Sequence, residues 1–153
     1  MRAVVQRVAW AKVEVDGAMV GAIERGLLVY LGAGKGDGDT ERAYVLSKVL
    51  GLRIFENDAG KMDHSVVDIG GALLVVSQFT LYGDVRRGRR PSFDGAMAPE
   101  EAETAYESFV RDARAQGIPV ATGKFRADMK VTSLNDGPVT IWIDSAKSAS
   151  MSQ

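Results

Sequence analysis

Lys12-Val13-Glu14-Val15-Asp16 alternates polar and apolar side chains, the period of a strand with one buried face, and Val4 to Val8 also reads as strand. Asp16-Gly17 signals a hairpin turn, and residues 18–23 form the returning strand. Leu27 to Leu31 is a short unbroken apolar run suited to a central strand. A glycine-rich loop, 32–38, leads to a helix with Asp39 or Thr40 as N-cap and Ala43, Leu46, Val49 and Leu50 at helical spacing. Residues 53–56 are strand-like, 57–60 are a turn, and 66–69 form a short strand that Gly70-Gly71 breaks or bulges. Residues 72–79 are the strongest strand, apolar throughout Leu73-Leu74-Val75-Val76 and so buried on both faces. A second helix opens at Pro99 with Glu100, Glu101 and Glu103 at its positive end. Ala102, Ala105, Tyr106, Phe109, Val110 and Ala113 form one apolar stripe along it, and Gly117 and Pro119 stop it. Residues 130–134 and 139–144 alternate as two strands about the turn Asn135-Asp136-Gly137-Pro138.

These elements predict a single α+β domain over residues 1–145, rich in strands with two helices, followed by a small polar tail at 146–153 that frays. At 153 residues, 46% hydrophobic and 25% charged, the chain is long enough for a real core and unlike a disordered one. Its early residues interrupt their apolar run too soon for a signal peptide, and no run approaches a membrane span. A cytosolic protein is expected. With no Cys and a single His, a disulfide framework, a zinc-thiolate site, a cysteine nucleophile and a two-His metal motif are all excluded within one chain. The formal net charge of −1 leaves nucleic-acid binding to local patches.

Few groups remain to carry chemistry. His64 follows a turn among polar neighbours and reads as a solvated loop residue rather than a general base. The loop Gly32-Ala33-Gly34-Lys35-Gly36-Asp37-Gly38 sits where a phosphate cradle would, yet lacks both the P-loop and the dinucleotide registers. Ser77-Gln78-Phe79-Thr80-Leu81-Tyr82-Gly83 ends the strongest strand in hydroxyl and amide groups. It is either a display of functional groups or an ordinary strand edge, and spacing alone does not choose. Next to it, Arg86, Arg87, Arg89 and Arg90 crowd a short loop. Like charges at that density repel unless an anion is expected, so phosphate or RNA contact is favoured over a solvated face. Lys124, Arg126 and Lys130 supply a weaker basic stretch.

In this order, Arg2-Ala3-Val4-Val5-Gln6-Arg7-Val8, Ser77-Gln78-Phe79-Thr80-Leu81, Arg90-Pro91-Ser92-Phe93, Thr122-Gly123-Lys124-Phe125, Ala127-Asp128-Met129-Lys130-Val131 and Asn135-Asp136-Gly137-Pro138-Val139-Thr140 resemble the D-aminoacyl-tRNA deacylases, the D-Tyr-tRNA deacylase family. The resemblance runs from Met1 to about Asp144. It implies a compact β-barrel-like α+β fold of antiparallel and mixed sheet, a homodimer, and hydrolysis of the ester between a D-amino acid, or glycine, and the 3′-terminal adenosine of tRNA. No cofactor or metal is implied.

Carried onto this chain, the resemblance makes Gly137-Pro138 a cis pair that reaches into the other subunit's active site and excludes an L side chain. Ser77, Gln78, Phe79 and Thr80 become the catalytic pocket floor, with main-chain N–H groups stabilising the oxyanion. Arg7 locks the Gly-Pro turn, and Phe125, Ala127 and Met129 line the adenosine side. The terminal ribose 2′-hydroxyl assists the attacking water; Thr80 as nucleophile is the alternative, without an evident activating partner. The chain departs from the family at His64, where relatives carry an apolar residue, and at Arg126, where they carry a small one. The rival readings are an editing activity on L-aminoacyl-tRNA and a dimeric RNA- or nucleotide-binding module without catalysis.

Overall fold

The computed structural model describes residues 1–146. The tail expected at 146–153 therefore lies, beyond its first residue, outside the described residues. In chain order the elements are β1 (Arg2–Val15), β2 (Ala18–Ile23), β3 (Gly26–Gly32), α1 (Asp39–Gly51), β4 (Phe55–Glu56), β5 (Met62–His64), β6 (Ala72–Ser77), a 3₁₀ turn (Phe79–Tyr82), α2 (Pro99–Ala115), β7 (Val120–Thr122) and β8 (Lys130–Asp144).

The two strand segments expected at the N-terminus are one strand, β1, and it is the spine of the sheet. Strand β8 runs antiparallel along β1 from the Arg2–Asp144 pair to the Glu14–Lys130 pair. Along β1, β3 pairs with the first half and β2 with the second. Strands β6 and β7 then add in parallel beyond β3. The sheet curls until β2 meets β7: a Cβ on Gly21 would strike the Thr122 carbonyl, so only glycine lets these edges touch. The result is a nearly closed, barrel-like mixed sheet with two helices, as the sequence predicts.

Adjacent residues of the central strands point to opposite faces, and both faces are covered. Leu27, Val29, Leu73 and Val75 pack under the helices with Val45, Val49 and Phe109, while Leu28, Leu74 and Val76 fill the inside of the curl with Val8, Ala11 and Val13. That is why these strands read as continuous apolar runs rather than alternating ones. On α2, Tyr106, Phe109, Val110 and Ala113 are buried, with Pro99 in the first turn.

Several expectations are corrected. Residues 66–69 are turn, not strand. The Ser65 N–H donates to Asp68 Oδ2 at 2.9 Å and the Asp68 N–H to Ser65 Oγ at 3.1 Å, a reciprocal pair that wraps the backbone on itself. The N-cap of α1 is Gly38, one residue before the expected cap, because Glu41 reaches back to accept from the Gly38 N–H at 2.7 Å. Gly137-Pro138 does not reverse the chain between two strands. Both halves pair with the same uninterrupted β1, and the register steps from Gln6–Thr140 to Val8–Asn135. Residues 136–139 thus bulge outward opposite Arg7 alone. Strand β7 and the 3₁₀ turn carry too little periodicity to be read from the sequence.

Candidate active site

Two places in the fold gather the residues singled out by sequence. The first is a cleft of about 670 Å³ at the end of β6. Ser77, Gln78 and Phe79 form one wall, and Phe125, Ala127 and Met129 form the facing wall, between β7 and β8. Thr80 lies one residue beyond; its hydroxyl accepts a hydrogen bond from Gln78 Nε2. The chain breaks from strand into the 3₁₀ turn here, and neither the Phe79 nor the Thr80 N–H has an acceptor among the described residues.

Residues to which the sequence assigned no place in this site complete the cleft. The glycine-rich loop is no phosphate cradle. It docks on the segment before α2, with the Lys35 N–H on Gly95 O and the Met97 N–H on Ala33 O, both at 3.0 Å, which brings Ala33, Ala96, Met97 and Ala98 to the rim. Tyr106, a member of the α2 stripe, donates to Val75 O at 2.7 Å and stacks at 6.0 Å from Phe125. Burial pushes its hydroxyl up to about 12, so it stays protonated. Arg126 also lines the cleft, from a backbone position of φ 66° that few side chains adopt. The single carboxylate on the wall, Asp128, is exposed and paired with Lys130 at 3.2 Å. His64 is not part of the wall; it stands on β5, 4.0 Å from Asp68. Pattern alone could not assemble this site, since its walls come from five separated stretches of chain.

On the cleft wall, Phe79 and Phe93 meet edge to face at 5.0 Å. Paired main-chain bonds between Asp84 and Ser92 close the loop that carries the arginines. Arg86 forks onto Asp84 at 2.7–3.0 Å, and this hydrogen bonding holds the Asp84 carboxyl at about 2. Arg87, Arg89 and Arg90 are exposed and form no ion pair among the described residues.

The second place is the bulge of β8, which lines no part of that cleft. Gly137 and Pro138 are exposed, and their peptide bond is cis. Beneath them Arg7, 7% exposed, has no carboxylate partner among the described residues. Instead its Nε donates to Asp136 O at 3.0 Å and its Nη1 to Ile54 O at 2.7 Å. Gly137 sits at φ 134°, and a Cβ there would lie 3.0 Å from Arg7 Nη2 and 2.8 Å from Val139 Cγ2. The position admits glycine alone.

Comparison with known proteins agrees with the residues that carry the resemblance. The family model described as D-Tyr-tRNA(Tyr) deacylase matches residues 4–144. A D-aminoacyl-tRNA deacylase of Sorangium cellulosum is 60% identical, across 96% of this chain and 99% of its own. One from Thermotoga petrophila is 58% identical with the same coverage. Among solved structures, a "c-Myc DNA Unwinding Element Binding Protein" superposes with a TM-score of 0.90 at 44% identity, covering 94% of this chain and 98% of its own. A probable eukaryotic D-amino acid tRNA deacylase shares the fold, with a TM-score of 0.75 at 20% identity over 94% of this chain and 98% of its own. With its family model spanning nearly the whole chain and relatives above half identity at full length, this chain belongs to the D-aminoacyl-tRNA deacylase family, hydrolases of the aminoacyl-tRNA ester.

Proposed function

We propose that the protein is a cytoplasmic homodimer that frees tRNA from D-amino acids and from glycine, rejects L-aminoacyl-tRNA through Gly137-Pro138 of the opposite subunit, and uses the substrate's own 2′-hydroxyl in place of a protein base. The observation that carries this reading is the cleft itself: largely apolar, sized for an adenosine with its aminoacyl group, and walled without a histidine or a buried carboxylate. A water attacking the ester carbonyl must lose a proton, and the ribose 2′-hydroxyl relays it without any side chain: it takes that proton as it gives its own to the 3′-oxygen, whose bond to the acyl carbon breaks, leaving the free amino acid and a tRNA with its 3′-hydroxyl restored. Negative charge develops on the carbonyl oxygen during the attack. The unpartnered N–H groups of Phe79 and Thr80 suit that charge, since preorganised donors need no rearrangement as it forms. Phe125, Ala127 and Met129 take the adenosine, which holds the ester in place.

Selection between enantiomers cannot rest on chemical groups, since both carry the same ones. A main-chain wedge rejects one direction at Cα whatever the side chain, and it admits glycine for the same reason. The Gly-Pro bulge is exposed and outside its own cleft, which suits action on a second subunit. Trp10 and Leu134, paired across β1 and β8, and Trp142 remain 39–45% exposed, apolar surface of the kind a second copy covers. In this reading the exposed Arg87, Arg89 and Arg90, on the loop that leads into the cleft residue Phe93, meet RNA phosphates. Replacing them together with Arg86 by Ala weakens tRNA binding and flattens its salt dependence; an unchanged slope returns the loop to solvent.

The test is ester loss from D-Tyr-tRNA, L-Tyr-tRNA and Gly-tRNA. Loss from the first and third alone is expected, and equal loss of both enantiomers removes the wedge from the account. If Thr80→Ala abolishes turnover while a 2′-deoxy terminal adenosine does not, Thr80 and not the ribose supplies the chemistry. A second reading, nucleic-acid binding without hydrolysis, is favoured by the 44% identical structure of a "c-Myc DNA Unwinding Element Binding Protein". Binding with no ester loss from any of the three substrates selects it.

A further inference from the structure

A second groove adjoins the cleft. It holds about 450 Å³ and shares with the cleft the wall formed by Tyr106 and Phe125. Its long side is one face of α2: Glu103, Tyr106, Glu107, Val110, Arg111 and Arg114 recur at helical spacing along it. Its other side is the 122–125 segment, which presents Lys124. The charge is graded, with both carboxylates on the N-terminal half of the face and both guanidinium groups on the C-terminal half, while Lys124 adjoins Phe125 at the Tyr106 end. Arg114 is positioned by donating to Val120 O at 3.0 Å, and Arg111 by donating to Ser108 Oγ at 3.1 Å. Arg111, Arg114 and Lys124 form no ion pair among the described residues, although Glu107 lies in the same groove. Against the two carboxylates the three cations leave the groove lining with an excess of one positive charge, on a chain of net charge −1.

We propose that this groove is the path by which the single-stranded 3′ end of the tRNA leaves the cleft, with the phosphates that precede the terminal adenosine held by Arg111, Arg114 and Lys124. The inference rests on the reading of Phe125, Ala127 and Met129 as the adenosine side. Phe125 lines both the cleft and the groove, and its chain neighbour Lys124 lines the groove, so an RNA strand whose terminal adenosine rests on Phe125 finds a cation immediately across the shared wall. The groove offers that strand a continuation on the side of the cleft away from the Phe79–Phe93 contact that carries the arginine loop. Polyanionic single-stranded RNA is the occupant the charge fits. The occupant's sequence is not read here, since arginine and lysine toward phosphates position a strand without identifying its bases.

The experiment compares D-Tyr-tRNA with D-tyrosyl-adenosine, which has the ester and the adenosine but no preceding phosphate. For a variant carrying Arg111→Ala, Arg114→Ala and Lys124→Ala, the ratio of kcat/KM on the tRNA to that on the adenosine ester is expected to fall about tenfold, through KM. The slope of log(kcat/KM) against log salt for the tRNA is expected to lose about 2. A second variant, Arg111→Glu with Arg114→Glu, leaves the 122–125 segment untouched and is expected to lower the ratio further. A retained ratio and slope in both variants overturns the groove. Equal loss on both substrates also overturns it, because the residues then act through the cleft and not on the RNA beyond it. Wild-type protein that hydrolyses neither substrate overturns the underlying deacylase reading instead, and that result is visible before any variant is made.

Discussion

The cleft at the end of β6 and the bulge of β8 are built on opposite principles. The cleft is concave, mostly apolar and assembled from five stretches of one chain, and it offers main-chain N–H groups that have no acceptor among the described residues. The bulge is convex and exposed, and it is fixed from below by one buried guanidinium that gives its hydrogen bonds to two carbonyls. A concave site can be completed within a chain, whereas a convex one has nothing of its own to act on. In the proposed homodimer the cleft is the receiving surface and the bulge the presenting one, an arrangement open to a symmetric pair.

The largest expected effect tests what fixes the bulge. Arg7→Met keeps the aliphatic stem but leaves the buried Ile54 carbonyl and the part-buried Asp136 carbonyl without their donor, at a cost of about 3 kcal/mol. Chemical denaturation measures it, and a loss under about 1 kcal/mol would show that the bulge holds itself. Next, Gly137→Ala places a methyl against Arg7 and Val139 at a backbone angle alanine avoids. The ratio of kcat/KM on D-Tyr-tRNA to that on L-Tyr-tRNA should drop on the order of 100-fold, the scale of a misplaced contact; an intact ratio moves selection into the cleft.

Smaller effects probe the cleft's own wall. Tyr106→Phe deletes the bond to Val75 O and should cost about 1 kcal/mol. The same residue gives a pH signature. Its hydroxyl, ordinarily near 10.0, is pushed up to about 12 by burial, so the folded state holds a proton the unfolded state has lost. Stability therefore falls as pH rises from about 10 towards 12, and Tyr106→Phe should flatten that fall in alkaline unfolding curves. At the bottom of the scale, Arg86→Ala breaks a pair that is fully exposed. Asp84 should return towards the ordinary carboxylate range by NMR titration, with Tm unchanged.

Much of the fold was legible along the chain because burial imposes a period. Both helices, the β1–β2 hairpin and the doubly buried β3 and β6 follow from it. The errors have specific causes. Residues 66–69 look apolar enough for a strand, yet Ser65 and Asp68 bond each other and close a turn. Strand β7 is three residues long, too short to show any period. In the site, Ser77, Gln78 and Phe79 were marked by their position at the end of the strongest strand. Tyr106 was read only as core, because a helical stripe does not say which of its members borders a cavity. Phe93 was marked as motif but not as site, because its partner Phe79 is close only in space.

The sequence by itself determined the inventory: no thiol, one imidazole, a Gly-Pro pair, an arginine-rich loop and a set of motifs specific enough to name a family. Composition and local period depend on neighbours within a few residues, so they can be read without coordinates. The tertiary structure decided what that inventory faces. It made Gly137-Pro138 a bulge rather than a hairpin turn, because both flanking segments pair with a single β1. It put Arg7 beneath that bulge and separated both from the cleft. It also lined one groove with Arg111, Arg114 and Lys124. Those placements depend on strand register and on the closure of the sheet, which are fixed by contacts between residues far apart in the chain.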